Sequence, residues 1–452
     1  MLDRSAVGLN VSICIVSTVT TTTSNSHEST ARAEQAKQVV RPWKQGVFTF
    51  ADQAVVSLVS AVTTIIVGRT CSLDELGVFV FGVSLMWRAI GLPVALVWSP
   101  YASRAPHLTP ASLRRYAGSS AAIAILLSLI QAVVLLIAYG VLMALSGVVE
   151  VPVWIPRLVL AMAPLLLGAT LREHARRTCI ADFRGQLLLA IDLPIALVQV
   201  SLLALLWRFD WLDSSTALLA VALATMLSIA WFVGESRRVT FRRRMAVAHL
   251  RSNFGFGVWL LAIALAWLVC DLLLRSLLTG FHGIEAMGTF GAAYTIVGLI
   301  NPIVNAATIF CRSWAARVYA AMGLAGLRRF ALIGTAVAAA LALLATALLT
   351  LFGEQIVELL FKSNYASRYV MGAVTLGFCL QAVIVPVEAA QMALERGREL
   401  FVASFLRVAM VFVAGIPLVW WQGAAGIGWT TAVQSIAVLS VMWFYFLKGN
   451  DA

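Results

Sequence analysis

From Val47 to Leu447 the chain alternates long apolar runs with short polar connections. Twelve runs can be marked, at 47–67, 77–101, 116–144, 154–171, 187–207, 215–234, 255–274, 288–310, 331–352, 370–390, 402–420 and 426–447. Each is near the roughly 20 residues a helix needs to cross about 30 Å of hydrocarbon. No water is present at that depth to satisfy an open backbone, so helix is the form expected of every run. Residues 1–43 are different. The stretch Val7 to Val19 is apolar but too short to span, Asn10 and Ser12 break it, and TVTTTTSNS overlaps its end. A disordered cytoplasmic extension is expected there.

Composition agrees with this reading. Of the residues, 61% are hydrophobic and 12% charged, and the mean hydropathy is +0.91. A soluble domain carries roughly a quarter charged residues, so the chain reads as a polytopic all-α membrane protein. The formal net charge of +12 does not point to nucleic acid, because the basic residues punctuate the apolar runs. Of the 33 basic residues, 25 fall on the N-terminal arm, the even-numbered connections and the tail. Six (Arg69, Arg157, Arg208, Arg275, Lys362 and Arg368) fall on the other face, and Arg88 and Arg407 lie inside runs. The positive-inside rule then places both termini in the cytoplasm. That result requires an even number of helices, as counted.

The chain also repeats itself. LRRYAGSSAAIAILLSLI at 113–130 returns as LRRFALIGTAVAAALALL at 327–344, with eight of eighteen positions identical. LDELGVF at 73–79 faces IEAMGTF at 284–290, keeping Gly77/Gly288 and Phe79/Phe290. Glu173 and Glu388 fall at nearly the same offset. A duplication of six helices is the expectation, with lobes at 44–236 and 252–448 and a basic linker, RRVTFRRRMAVAHLR, at 237–251. Six is even, so both copies enter the membrane from the same side, and cargo is expected between them.

Several chemistries have no counterpart. There is no G-x-x-x-x-G-K-[ST], no HExxH and no GxSxG, and the cysteines and histidines are scattered. No enzyme activity, metal site or cofactor is expected.

FADQAVVSLVSAVTTIIVGRTCSLDELGVFVFGVSL at 50–85 and REHARRTCIADFRGQLLLAIDLP at 172–194 resemble the first two helices, and the connection after the fourth, of polysaccharide and O-antigen (Wzx-type) flippases. Those belong to the multidrug/oligosaccharidyl-lipid/polysaccharide (MOP) exporter superfamily. The resemblance implies two parallel six-helix bundles around a central cavity, of the MATE/MOP kind. It implies a bacterial inner-membrane flippase for an undecaprenyl-pyrophosphate-linked oligosaccharide, working by alternating access among membrane lipids and beside polysaccharide polymerase or assembly proteins. The alternative is a cation-coupled multidrug exporter of the same superfamily.

Ionisable residues inside the runs are the candidate site, because each costs at least a few kcal/mol in hydrocarbon, roughly 2.5–3.5 on insertion scales. Arg88 lies near mid-bilayer and has the planar donor fork that suits a pyrophosphate. Its alternative is a carboxylate partner on another helix. Asp52, Asp192, Glu388 and Arg407 are placed one or two turns in from the cytoplasmic surface. There they could exchange H⁺ or Na⁺, bond sugar hydroxyls or pair with one another. Asp271 and Arg275 read as an i,i+4 ion pair. Pro93 and Pro302 interrupt corresponding helices and are candidate hinges.

The topology carries its own test. In a cysteine-free background, a cysteine placed within 237–242 is expected to react with an impermeant thiol reagent only after the membrane is opened. One placed at 210–213 is expected to react from outside. The reverse pattern would invert the assignment.

Overall fold

The computed structural model describes residues 42–104, 108–146, 150–181, 184–236, 243–361, 365, 367–394 and 396–448. The chain divides into two units, Met1–Gln45 and Gly46–Ala452, and the membrane-crossing segments all lie in the second. The expected N-terminal extension and residues 237–242 of the expected linker lie outside the described residues.

The described residues are helical, and no strand occurs among them. The helices are α1 (Pro42–Thr70), α2 (Leu73–Ala89), α3 (Pro110–Leu145), α4 (Trp154–Ala181), α5 (Gly185–Arg208), α6 (Ser214–Met226), α7 (Arg243–Gly298), α8 (Asn301–Leu360), α9 (Arg368–Val383), α10 (Gly397–Met410) and α11 (Ala424–Lys448). Shorter pieces extend α2, α6, α9 and α10. Side-chain caps start several helices. Ser72 Oγ accepts from the Glu75 N–H at 3.3 Å, Asp213 from Thr216 at 2.7 Å and Ser367 from Val370 at 3.4 Å.

Among the described residues, eleven helices are long and apolar enough to cross a membrane, which makes this a multi-pass membrane protein. One of the eleven contains two crossings. At about 1.5 Å per residue, the 56 residues of α7 would stretch about 84 Å, far beyond one hydrocarbon core. The chain breaks at Gly283, whose φ of +81° is open to glycine and strained for other residues. Contacts along α2 show the reversal. Gly291 and Gly288 lie against Val80 and Leu73, whereas Ala264 and Gly257 lie against Gly91 and the Ala95 carbonyl. The first arm of α7 therefore runs antiparallel to α2 and the second runs parallel to it. A second positive-φ glycine, Gly323 (+60°), breaks α8 in the same manner. The expected connections near 275–287 and 311–330 are thus helix interrupted at one glycine each; the second arm of α7 and the first arm of α8 together make one crossing, so the crossings number twelve.

Two other expectations change. The fourth helix does not stop at residue 171 but runs to Ala181, because its charges are paired within the protein. The described part of the basic linker, 243–251, is the first turns of α7, with Ala246 buried and Leu250 packed on the core.

The repeated glycines face one another. A Cβ at Gly77 would strike the Ile284 carbonyl and one at Gly288 would strike the Leu73 carbonyl. Residues 284 and 288 are the duplicates of 73 and 77, so the contact is reciprocal, as in a two-fold interface. The largest core cluster crosses this contact, joining Leu76, Phe79 and Val97 with Met287, Phe290, Val374 and Ile427. A separate cluster (Leu327, Ile384, Val387, Val438, Phe446) draws only on the second half. At the Gly283 end the halves are further tied by Arg69 Nη2 donating to the Leu359 carbonyl at 3.0 Å and by Phe361 against Gly68.

Both candidate hinge prolines stand at interruptions. Pro93 precedes a wide π turn, Val94–Trp98, closed by the Ser99 N–H reaching back to the Val94 carbonyl. Pro302 begins α8 after a break at 299–300. A second π turn, Val411–Gly415, extends α10. Side-chain amides bond backbone carbonyls beside these turns: Gln131 donates to Ala89 at 2.9 Å, Asn253 to Leu96 at 3.2 Å and Gln434 to Arg407 at 3.0 Å.

Gly288→Val is expected to lower stability by about 1–3 kcal/mol or more, since the obstacle is backbone. Gly140, with nothing within 4 Å of an added Cβ, is the control: Gly140→Ala should stabilise by roughly 0.5–1 kcal/mol. Thermal unfolding of both variants in detergent checks the pair, and equal melting temperatures would contradict the packing described.

Candidate functional site

Two groups of charges lie among the helices, one buried and one half-buried, and they are built differently. The first lies inside the first half. Arg176 of α4 reaches Asp52 of α1 (Nη2–Oδ2, 2.7 Å), Asp192 of α5 (Nε–Oδ2, 2.6 Å) and Glu173 on its own helix (Nη1–Oε2, 2.9 Å). Arg172 takes the other oxygen of Asp192 at 2.6 Å, and Arg177 takes Glu173 at 2.7 Å. Three carboxylates meet three guanidiniums, so the group is balanced. Asp52 and Asp192 are 0% exposed. The two acids placed at the inner mouth by sequence are therefore enclosed in ion pairs and line no opening. Hydropathy alone leaves Arg176 in a cytoplasmic connection. The signal that it belongs to the helix is the Glu173-x-x-Arg176-Arg177 spacing, which supplies i,i+3 and i,i+4 pairs.

The second group lies between the halves. Arg88 of α2 bonds Asp271 of α7 through Nε–Oδ2 at 3.2 Å and Nη2–Oδ1 at 3.5 Å. Arg275 also bonds Asp271 Oδ1, at 3.0 Å. Trp267 carries two cations over its ring, with Arg88 at 5.1 Å and Arg407 of α10 at 4.4 Å from the centroid. Arg275 lies 5.4 Å from the Phe290 ring. Trp267, Asp271 and Arg275 are four residues apart along α7 and share one face. That register could have been read from sequence, but the partner across the halves could not.

A cavity of about 70 Å³ opens at this group, lined by Arg88, Trp267, Asp271, Arg275, Tyr294 and Gln381 among others. Beside it Phe81, Leu85, Leu268 and Leu272 form an apolar crevice that shares Arg88, Asp271 and Arg275. Arg88 is 33% exposed and Asp271 15%. Arg275 is buried, and its Nε has no acceptor.

The sequence-predicted residues thus separate. Arg88 and Arg407 come together over Trp267. Glu388, half-buried on the segment after α9, is in electrostatic reach of Arg407. Asp52 and Asp192 belong to the other group. No cluster of three or more His, Cys, Asp or Glu suited to a metal ion occurs among the described residues.

No protein-family profile matches the chain, and no curated protein is similar to it in sequence. Solved structures are similar in fold. An inward-facing multidrug resistance transporter of the MATE family, MOP superfamily, superposes with a TM-score of 0.68 at 17% identity, over 88% of this chain and 96% of that one. A MATE transporter from Vibrio cholerae gives 0.60 at 16% identity, over 93% and 98%. A MOP superfamily transporter from Pyrococcus furiosus, described by the reversed polarity of its binding pocket, gives 0.60 at 16% identity, over 89% and 94%. The chain has the MATE/MOP transporter fold.

The balanced group carries a prediction. Arg176→Leu leaves three buried carboxylates under-compensated, which is expected to cost about 3–5 kcal/mol. Arg177→Ala, whose side chain is 47% exposed, should cost under about 1 kcal/mol. Melting temperatures of the two purified variants check this, and a tolerant Arg176 would overturn the structural role given to it.

Proposed function

We propose that the protein is a membrane transporter for an anionic amphiphile, a lipid-linked pyrophosphoryl oligosaccharide, moved between leaflets by alternating access of two six-helix halves. The observation that carries this is the charge of the cavity between the halves. Arg88 and Arg275 line it against Asp271, and behind its wall Arg407 lies against the Trp267 ring with Glu388 in electrostatic reach. Cations outnumber carboxylates, and arginine forks match phosphate oxygens. A cationic drug would meet like charge. A narrow apolar crevice begins at the same ion pair and sets apolar side chains beside the charges.

In this reading the arginine-rich end faces the cytoplasm of a bacterial inner membrane and the Gly283 end faces outward. Cargo arrives from the cytoplasmic leaflet and leaves toward polymerase or assembly proteins. The aromatic lining, Trp267, Phe290, Tyr294 and Phe378, is the observation that favours the second reading, a multidrug exporter.

Reconstitution tests the proposal. Protein-dependent movement of a labelled undecaprenyl-pyrophosphate oligosaccharide between the leaflets of proteoliposomes is expected, and Arg88→Gln should slow it by about tenfold or more. Extrusion of a cationic dye with no lipid movement, in folded protein, would overturn the anionic reading.

A further inference from the structure

The geometry points to Asp271 as the specificity-determining residue of this cavity, an internal competitor that occupies Arg88 until a multiply charged phosphate group displaces it. The inference rests on the anionic-cargo reading and goes beyond it, because it names what the cargo must outcompete.

Asp271 is shared. Its Oδ1 accepts from Arg275 Nη1 at 3.0 Å and from Arg88 Nη2 at 3.5 Å, while Oδ2 faces Arg88 Nε at 3.2 Å. Arg275 is on the same helix as Asp271, and Arg88 is on the other half. Release of Arg88 therefore leaves Asp271 paired with Arg275, and the exchange strands no buried carboxylate. That matters because a carboxylate left without a partner inside the membrane is destabilising.

The exchange also discriminates between anions. A singly charged anion that takes Arg88 replaces one carboxylate with another and gains little. A pyrophosphate has oxygens to spare. Arg275 donates to the same Asp271 oxygen as Arg88 and lines the same cavity, so one pyrophosphate can engage both guanidiniums. Arg275 Nε, buried without an acceptor, adds donor capacity beside them. Asp271 thus raises the threshold for every anion, and only a multidentate one clears it. Because Arg88 and Asp271 belong to different halves, the same exchange unties the halves at mid-membrane only when the right cargo is present.

The test is equilibrium binding of inorganic pyrophosphate and inorganic phosphate to the purified full-length protein. The wild type should bind pyrophosphate and discriminate against phosphate. Asp271→Asn should bind both more tightly, with phosphate gaining more, so that selectivity falls about tenfold. Asp271→Glu should keep the selectivity. The double variant Asp271→Asn/Arg275→Gln removes one charge of each sign, should lose selectivity as Asp271→Asn does although the Arg275 donors are gone, and decides the matter if the single variant fails to fold. Unchanged selectivity in these variants, or weaker pyrophosphate binding in Asp271→Asn, with wild-type binding intact, would overturn the role of Asp271 alone. Absence of pyrophosphate binding in folded wild type would overturn the anionic reading and this inference with it.

Discussion

A guanidinium inside a bilayer needs a partner, and the pairing of Arg88 with Asp271 is the constraint on which the rest of this structure turns. Arg88 belongs to the first half of the chain and Asp271 to the second. The pair therefore places a charge bond where the halves meet, at the depth where it is hardest to leave unmade. Elsewhere the protein solves the same problem by balance. Asp52, Glu173 and Asp192 are matched by Arg172, Arg176 and Arg177 within one half and shut away from any cavity. Between the halves the balance is incomplete: Arg88 and Arg275 share Asp271, and both Arg88 and Arg407 lie against the indole of Trp267. A ring face holds a cation without neutralising it, so the site keeps positive charge in reserve for an anion.

The duplication supplies the frame for this pair. Gly77 and Gly288 let α2 and the second arm of α7 approach to backbone contact, and the reciprocity of that contact fixes the relation of the halves. The first arm of α7, folded back at Gly283, then runs antiparallel along α2 and brings Asp271 to Arg88. The repeat does not carry the charges: the position that duplicates Arg88 at the offset of 211 is Leu299. The scaffold is two-fold, while the chemistry is one-sided.

Much of this is legible in the chain. The twelve runs, the all-helical class, the matched glycines and the exceptional position of Arg88 come from periodicity and hydropathy, which are local properties. The register of Trp267, Asp271 and Arg275 is also present as spacing. What spacing does not carry is which helix faces which. Depth, a one-dimensional coordinate, groups Asp52 and Asp192 with Glu388 and Arg407, and the structure divides them between two sites. Hydropathy ends the fourth helix at the first charges after residue 171, because a run of Arg and Glu looks like water. The helix continues because Arg176 has carboxylates on three helices to bond. The turns at Gly283 and Gly323 fall inside the connections that hydropathy marks, but hydropathy does not show that each is helix broken at one glycine, because it carries no backbone conformation.

The central claim is that the cavity between the halves selects negative charge. Its most direct measurement is thermal unfolding of the purified protein titrated separately with an undecaprenyl-pyrophosphate oligosaccharide and with a lipophilic cationic dye. A ligand that binds only the folded state raises the melting temperature with its concentration. The account predicts a saturable rise with the lipid pyrophosphate and none with the dye. A rise with the dye and none with the lipid pyrophosphate would contradict it.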